Sequence, residues 1–407
     1  MYSYEEVLDQ IENQRRFGNQ PGVELTGRML DQMGQPQNKM PFIHVAGTNG
    51  KGSVCAFLTS IFREAGLKVG TFISPHLIDF EERIMVDGQK ISKEDVTRLG
   101  NALLEQKFGV TPTMFDYCVL MAVLYFKEQN CDLVIVETGL GGRLDSTNAL
   151  GSPVVSVITR IGYDHVNILG NTIEEIAQEK AGIIKAGVPV VIAPQEPQAL
   201  AVLQKEAAKK GAGARCVQEN DLQRAKAMQP GPLGAYQREN AAVALCAAEV
   251  AWSRCGIEKE NMEATIIRGI HRAVWPGRME ILSTEPFLMV DGAHNSNGIH
   301  ALRTSLEELY PDETFHFVMG VMADKDYEKM IKELLPLAKD FVTVTPESAR
   351  ALQGETLAED IQKKGVPAHA ITQVAEIPDL LTPKEKTIAL GSLYFIGELK
   401  NVYQNKA

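Results

Sequence analysis

Residues 42–53 read Phe42-Ile43-His44-Val45-Ala46-Gly47-Thr48-Asn49-Gly50-Lys51-Gly52-Ser53. The run predicts a short buried strand, a glycine-rich turn and the start of a helix. Such a turn presents backbone N–H groups to a phosphate, with the positive end of the helix dipole behind them. Thr48, Asn49, Gly50, Lys51, Gly52 and Ser53 are therefore candidate nucleotide-binding residues, and Lys51 supplies a point charge for the outer phosphate oxygens. The spacing departs from the strict pattern of a phosphate loop. Val45 stands five positions before Gly50, and Gly52 follows the lysine where a hydroxyl residue is expected. That hydroxyl would ordinarily ligate magnesium, so another must serve. Ser74, at the end of the next predicted strand, is the candidate, although a serine before proline is also an ordinary turn residue.

Outward from this stretch, apolar runs alternate with helical periodicity. Helices are predicted over 4–17, 25–33, 53–65, 93–107, 114–129, 172–185 and 197–210. Strands are predicted over 42–46, 68–73, 132–137, 153–159 and 188–192, and residues 77–84 read as a mobile loop. Strands that are continuous apolar runs between helices indicate a parallel sheet covered on both faces. Functional residues then collect at the carboxyl ends of the strands, where Ser74, Glu137 and His165 all fall. Residues 212–236 are polar and carry no clear pattern. After helices at 236–254 and 260–271, Trp275-Pro276-Gly277-Arg278 reads as a linker, and a second α/β rhythm follows: strands 287–291, 315–320, 340–345 and 386–390, helices 297–309, 326–336, 356–364 and 393–402. The predicted fold is α/β, with a mostly parallel, phosphate-loop-type ATPase domain over 1–274 and a smaller Rossmann-like domain over 275–407.

Composition narrows the function classes. The chain has 407 residues, a formal net charge of −11, 44% hydrophobic and 23% charged residues. The acidic balance argues against a general nucleic-acid or anionic-membrane binder. The six cysteines form no C-x-x-C pair and read as reduced, buried small hydrophobes. The first residues lack the pattern of a signal peptide, and no apolar run reaches membrane-spanning length. The expected location is the cytoplasm.

Taken singly, the remaining site signals are ambiguous. Glu137 ends an apolar strand where nucleotide enzymes hold a magnesium-ligating acid; a strand-end charge is the plain alternative. His165, in Gly162-Tyr163-Asp164-His165, could equally be structural, and Lys180 could be a solvated helix position. Asp291-Gly292-Ala293-His294-Asn295 ends a strand in the second half. It reads either as a ligand site or as a polar turn in which Asn295 caps the following helix.

Together these segments, with Ser74-Pro75-His76, Glu82-Arg83-Ile84, the loop Glu137 to Asp145, Glu179-Lys180-Ala181-Gly182-Ile183, Gln237-Arg238-Glu239-Asn240-Ala241 and Gly391-Ser392-Leu393-Tyr394, resemble the folylpolyglutamate and dihydrofolate synthase branch of the Mur ligase family. The resemblance spans nearly the whole chain, and Gly-Lys-Gly in place of Gly-Lys-Thr separates the folate-type members from the cell-wall ligases. It implies an ATP-dependent ligase that joins L-glutamate to a reduced folate or to dihydropteroate through an acyl phosphate. By the family pattern, Ser74 and Glu137 would hold one magnesium, His165 a second, and Lys180 would carry a carbamate. A carbamate turns a cation beside metal ligands into an anion. Asn240, Arg278 and Asp291 match residues that hold ATP, while His294 and Ser392 match positions near the incoming glutamate. Arg83 and Asp145 lie in loops expected to border the folate. Closure of the second domain would exclude water from the acyl phosphate. The family also suggests a monomer. One departure is the short segment before the Gln-x-x-Asn helix, which puts its local structure outside the family expectation. A cell-wall amino-acid ligase of the same fold is the rival reading; Gly52 and the want of an extra N-terminal domain count against it. A regulatory nucleotide binder would need no Glu137, His165 or Lys180.

Overall fold

The structure, a computed structural model, describes residues 1–14 and 21–406. Strand β1 (Phe42–Ala46) is buried at all five positions, as a strand covered on both faces must be. It is followed in the first unit by β2 (Val69–Phe72), β3 (Ile84–Val86), β4 (Gln89–Lys90), β5 (Leu133–Glu137), β6 (Val155–Ile158), β7 (Val190–Ile192) and β8 (Ala214–Cys216). Their order in the sheet is β4-β3-β2-β5-β1-β6-β7-β8. Every pairing from β2 to β8 is parallel, and only the β3 and β4 edge is antiparallel. Strands β2, β5, β1 and β6 are thus neighbours running the same way, and their carboxyl ends share one edge. The register sets Glu137 beside Val45, one residue short of the end of β1.

Packing follows from the apolar stripes. Val7, Ile11, Leu25 and Met29 of the first two helices join Leu99, Leu120 and Phe126 over β2 and β5. Helices Ile173–Ala181 and Pro197–Lys209 pack with Ile158, Val190 and Ile192. Helix Met262–Arg272 lies against helix Lys51–Glu64 so closely that a Cβ on Gly269 would sit 2.4 Å from the Ile61 Cα.

The second unit holds β9 (Glu280–Thr284), β10 (Phe287–Asp291), β11 (Phe315–Met319), β12 (Ala338–Thr343), β13 (Ala368–Ala370) and β14 (Lys386–Leu390), in the order β13-β12-β11-β14-β10-β9. Phe315, Phe317, Phe341 and Ile388 anchor its core. The compact units comprise residues 1–231 with 238–273, and 232–237 with 274–407. The chain passes between the units at 231/232, at 237/238 within the first turn of helix Ala235–Trp252, and at 273/274.

Several expectations are corrected. Residues 77–84 are ordered as a 3-10 helix, Phe80–Arg83, leading into β3. The Glu82 carboxylate staples this segment, accepting the N–H groups of Leu77, Ile78 and Asp79. The patternless stretch 212–236 contains β8 and helix Glu219–Ala227. Strands β9 and β13 were not anticipated. The first helix ends at Glu12; the part of its predicted range over 15–17 lies outside the described residues. Among the described residues, no helix is long and apolar enough to cross a membrane.

Candidate active site

The glycine loop is held open by its neighbours. Thr48 and Asn49 donate their N–H groups to the Arg160 carbonyl at 3.0 and 3.2 Å. Thr159 donates its hydroxyl to the Asn49 carbonyl at 2.7 Å, and the Thr48 hydroxyl donates to Gly162 O at 3.0 Å. The first half of the loop is therefore pinned to the end of β6, and its N–H groups at 48 and 49 are spent there. The second half, Gly50 to Ser53, forms the start of helix Lys51–Glu64, where N–H groups have no partner one turn earlier. That half is the part able to receive a phosphate. Gly50 has φ 89°, a conformation that favours glycine. A Cβ there would also lie 2.3 Å from the Asn240 side-chain oxygen. This contact brings Asn240, in the helix Ala235–Trp252, onto the loop.

Strand order gathers the ligand candidates. The Lys51 ammonium stands 3.8 Å from a Glu137 oxygen, and the other Glu137 oxygen accepts the Ser74 N–H at 3.3 Å. Ser74 and Glu137 are hard oxygen donors, the type magnesium prefers; two protein oxygens leave the rest of an octahedral shell to phosphate and water. His165 follows β6, with φ 50° and its N–H on the Asp164 carboxylate at 2.9 Å. Its Nε2 stands 3.9 Å from the same carboxylate. Among the described residues no three His, Cys, Asp or Glu side chains stand together as a metal site.

Lys180 reaches the loop from helix Ile173–Ala181. It is buried, and its Nζ donates to the Gly47 carbonyl at 2.8 Å. Burial, then the neighbouring Lys51 charge, lowers its pKa to about 7. A buried lysine near neutrality is half deprotonated at physiological pH and can act as a nucleophile.

Arg83 and Asp145 face inward. Arg83 is buried and donates to the Ser74 hydroxyl at 3.1 Å and to His76 Nδ1 at 2.9 Å. A guanidinium only donates, so His76 Nδ1 is the bare nitrogen. Asp145 is buried with both oxygens occupied. One accepts the N–H groups of Gly139 and Leu140 at 3.0 and 2.8 Å; the other accepts Thr147 N–H at 3.0 Å and the Thr147 hydroxyl. The Thr147 hydroxyl is in turn 2.8 Å from Nε2 of the fully buried His44, whose pKa burial lowers to about 3. Asp145 thereby pins the loop that follows Glu137. Neither His44 nor Thr147 was singled out by sequence, since a histidine inside an apolar strand carries no local sign of its partner.

In the second unit, Asp291 ends β10 and is likewise spent. It accepts the Tyr236 hydroxyl at 2.7 Å and the N–H groups of Met279 and Ala293 at 2.9 and 2.8 Å. Arg278 donates to Gly277 O, and a Cβ on Gly292 would lie 2.1 Å from its Nη1. His294 Nδ1 donates to Gly292 O at 2.9 Å, which assigns the proton to Nδ1. Asn295 caps the helix Ser296–Leu309, accepting Gly298 N–H at 2.8 Å, so the capping half of the two sequence readings is realised. Because β10 and β14 are parallel neighbours, Gly391 N–H reaches Ala293 O at 3.1 Å. Ser392 thus stands beside the Asp291–Asn295 turn, its hydroxyl accepting Tyr394 N–H at 3.2 Å.

Known proteins share both halves. Residues 45–230 match the Mur ligase middle domain and 277–388 the glutamate ligase domain of Mur ligases. The chain is 37% identical to the dihydrofolate synthase/folylpolyglutamate synthase of Bacillus subtilis, over 98% of each. It is 32% identical to folylpolyglutamate synthase of Lacticaseibacillus casei, over 91% of this chain and 92% of the other. Among solved structures it resembles Mycobacterium tuberculosis folylpolyglutamate synthase complexed with ADP, with a TM-score of 0.85 and 27% identity over 98% of this chain and 97% of that one. It also resembles Escherichia coli FolC in complex with DHPP and ADP, with a TM-score of 0.86 and 28% identity over 100% and 98%. The chain belongs to the folylpolyglutamate synthase/dihydrofolate synthase branch of the Mur ligase family.

Proposed function

We propose that this protein is an ATP-dependent ligase that joins L-glutamate to a folate carboxylate. The observation that carries the reading is the meeting of Lys51, Glu137, Ser74 and Lys180 around one glycine loop, in a chain aligned end to end with relatives named for that reaction. A carboxylate oxygen of the folate attacks the γ-phosphorus of ATP, the bond to the bridging oxygen breaks, and ADP leaves. The glutamate amine then attacks the acyl-phosphate carbonyl, loses a proton and expels phosphate, leaving an amide.

Gly50 to Ser53 receive the phosphates and Lys51 offsets their charge, in positions set before ATP arrives. Fixed charges of this kind stabilise the transferring phosphoryl group without reorganisation. Ser74 and Glu137 would hold magnesium, which supplies further positive charge there; His165 is the residue for a second ion. Lys180, neutral for a large fraction of the time, attacks CO2 and releases a proton to become a carbamate, placing an anion at the loop. Asn240 and Arg278 contact the nucleotide. Asp291 serves it through the turn it holds, and Arg83 and Asp145 serve the folate through the loops they brace. His294 and Ser392 lie on the glutamate side. On the family resemblance the enzyme works as a cytoplasmic monomer.

The test offers ATP, magnesium and labelled glutamate with either dihydropteroate or tetrahydrofolate. Incorporation into either acceptor supports the ligase, and the acceptor used defines the specificity. Incorporation into neither overturns it. Lys180→Ala is expected to abolish ligation while ATP binding stays measurable; near-normal turnover would remove the carbamate.

A further inference from the structure

Arg160 joins the nucleotide loop to the helix Ala235–Trp252, using its main chain for one and its side chain for the other. Its backbone carbonyl accepts the N–H groups of Thr48 and Asn49. Its guanidinium grips Glu239, with Nε to Oε1 at 2.9 Å and Nη2 to Oε2 at 2.6 Å. Glu239 immediately precedes Asn240, whose amide lies against Gly50. One residue thus binds the loop with its main chain and, with its side chain, the helix that lays Asn240 on the loop. The pair is bidentate, which constrains direction as well as distance. Its exposure differs between partners, 42% for the Arg160 side chain and 23% for that of Glu239, so a surface pair's small contribution to overall stability is expected. What a bidentate pair at this place can set is the position of Asn240.

We propose that Arg160 and Glu239 are positioning residues for ATP, holding Asn240 against the phosphate loop; this rests on the reading of Asn240 as a nucleotide contact. Neither residue reaches the reacting atoms in this role. Loss of the pair therefore acts on nucleotide affinity, and its two halves act as one unit.

The experiment is a double-mutant cycle on the full chain with Arg160→Met, Glu239→Gln and both together, alongside Asn240→Ala. For each, KM for ATP, kcat and melting temperature are measured. The expected result is a rise of roughly fivefold in KM for ATP in either single variant, a coupling within the range seen for residues in one ion-pair network. The double variant is expected to be no worse than the singles, with kcat moved less than KM and Arg160→Lys recovering part of the loss. Unchanged KM for ATP in both single variants, or additive effects in the double, overturns the proposal. If Asn240→Ala leaves KM for ATP unchanged, the reading of Asn240 fails instead. If Asn240→Ala raises it and Glu239→Gln does not, the reading stands and the positioning role falls. Glu239→Gln keeps size and helix propensity, so a folding failure confined to Arg160→Met does not decide the outcome.

Discussion

At the scale of single residues, Gly50 is constrained twice over. A side chain there incurs the left-handed conformational cost of about 1–2 kcal/mol and collides with Asn240. Gly50→Ala is expected to fold and to lose ATP affinity by at least tenfold, as titration calorimetry would show; wild-type affinity would sink the account of the loop. Lys180 makes a second prediction. An amine of pKa about 7 is about half neutral at pH 7, against about one in 2,500 for an ordinary lysine. Between pH 7 and about 10.5 the unfolded chain keeps the Lys180 proton while the folded, unmodified protein has released it. The unfolded state binds more protons there, so this residue makes stability rise with pH across that window. In CO2-free buffer, urea unfolding of the wild type is expected to shift to higher midpoint between pH 7 and 9 by more than Lys180→Met does. Equal shifts would show that the amine is not held neutral.

Elements meet through buried acids. Asp116, fully buried in helix Met114–Glu128, accepts hydroxyls from Thr26 at 2.7 Å and Ser146 at 2.6 Å, and the N–H and hydroxyl of Thr113. It ties three elements, and its loss leaves several buried donors unmet at about 1–3 kcal/mol each. Asp116→Ala is expected to cost about 3 kcal/mol or more in chemical unfolding; a cost under about 1 kcal/mol would show that water replaces it. Asp145→Asn is a sharper probe, since an amide cannot satisfy four donors with one oxygen. It is expected to lower kcat through the loop after Glu137 with the fold retained, and an unaltered kcat would separate that loop from the chemistry. Asp116 does not announce Ser146 and Thr26 in sequence, because they arrive from 30 and 90 positions away, whereas the partners of Asp145 lie within six residues of it. The β3–β4 hairpin was more readable than the reading made of it. Asp87-Gly88 adopts φ 50° and 77°, as a tight hairpin turn requires, and that dipeptide is itself a hairpin signal. Helix Glu219–Ala227 lacks such a mark, its mean character being too polar for periodicity to show.

For the whole molecule, ligand binding is expected to couple to stability. A nucleotide that binds only the folded state at a hundred times its Kd adds about 2.7 kcal/mol, so ATP with magnesium is expected to raise the melting temperature and chelation to reverse most of that gain. No shift at saturating nucleotide would contradict the site. The alternation of apolar runs and helical stripes determined by itself the α/β class, the parallel sheets and the edge on which Ser74, Glu137 and the glycine loop stand, because burial on both faces leaves a continuous signature along the chain. The ordered motifs determined the family for the same local reason. Tertiary structure alone decided which polar atoms are spent. It set Asp291 under the Tyr236 hydroxyl, consumed the N–H groups of Thr48 and Asn49 on Arg160, and joined Arg160 to Glu239 across 79 positions. Those pairings depend on strand order and helix placement, and no local pattern encodes a hydrogen bond whose two ends meet only after folding.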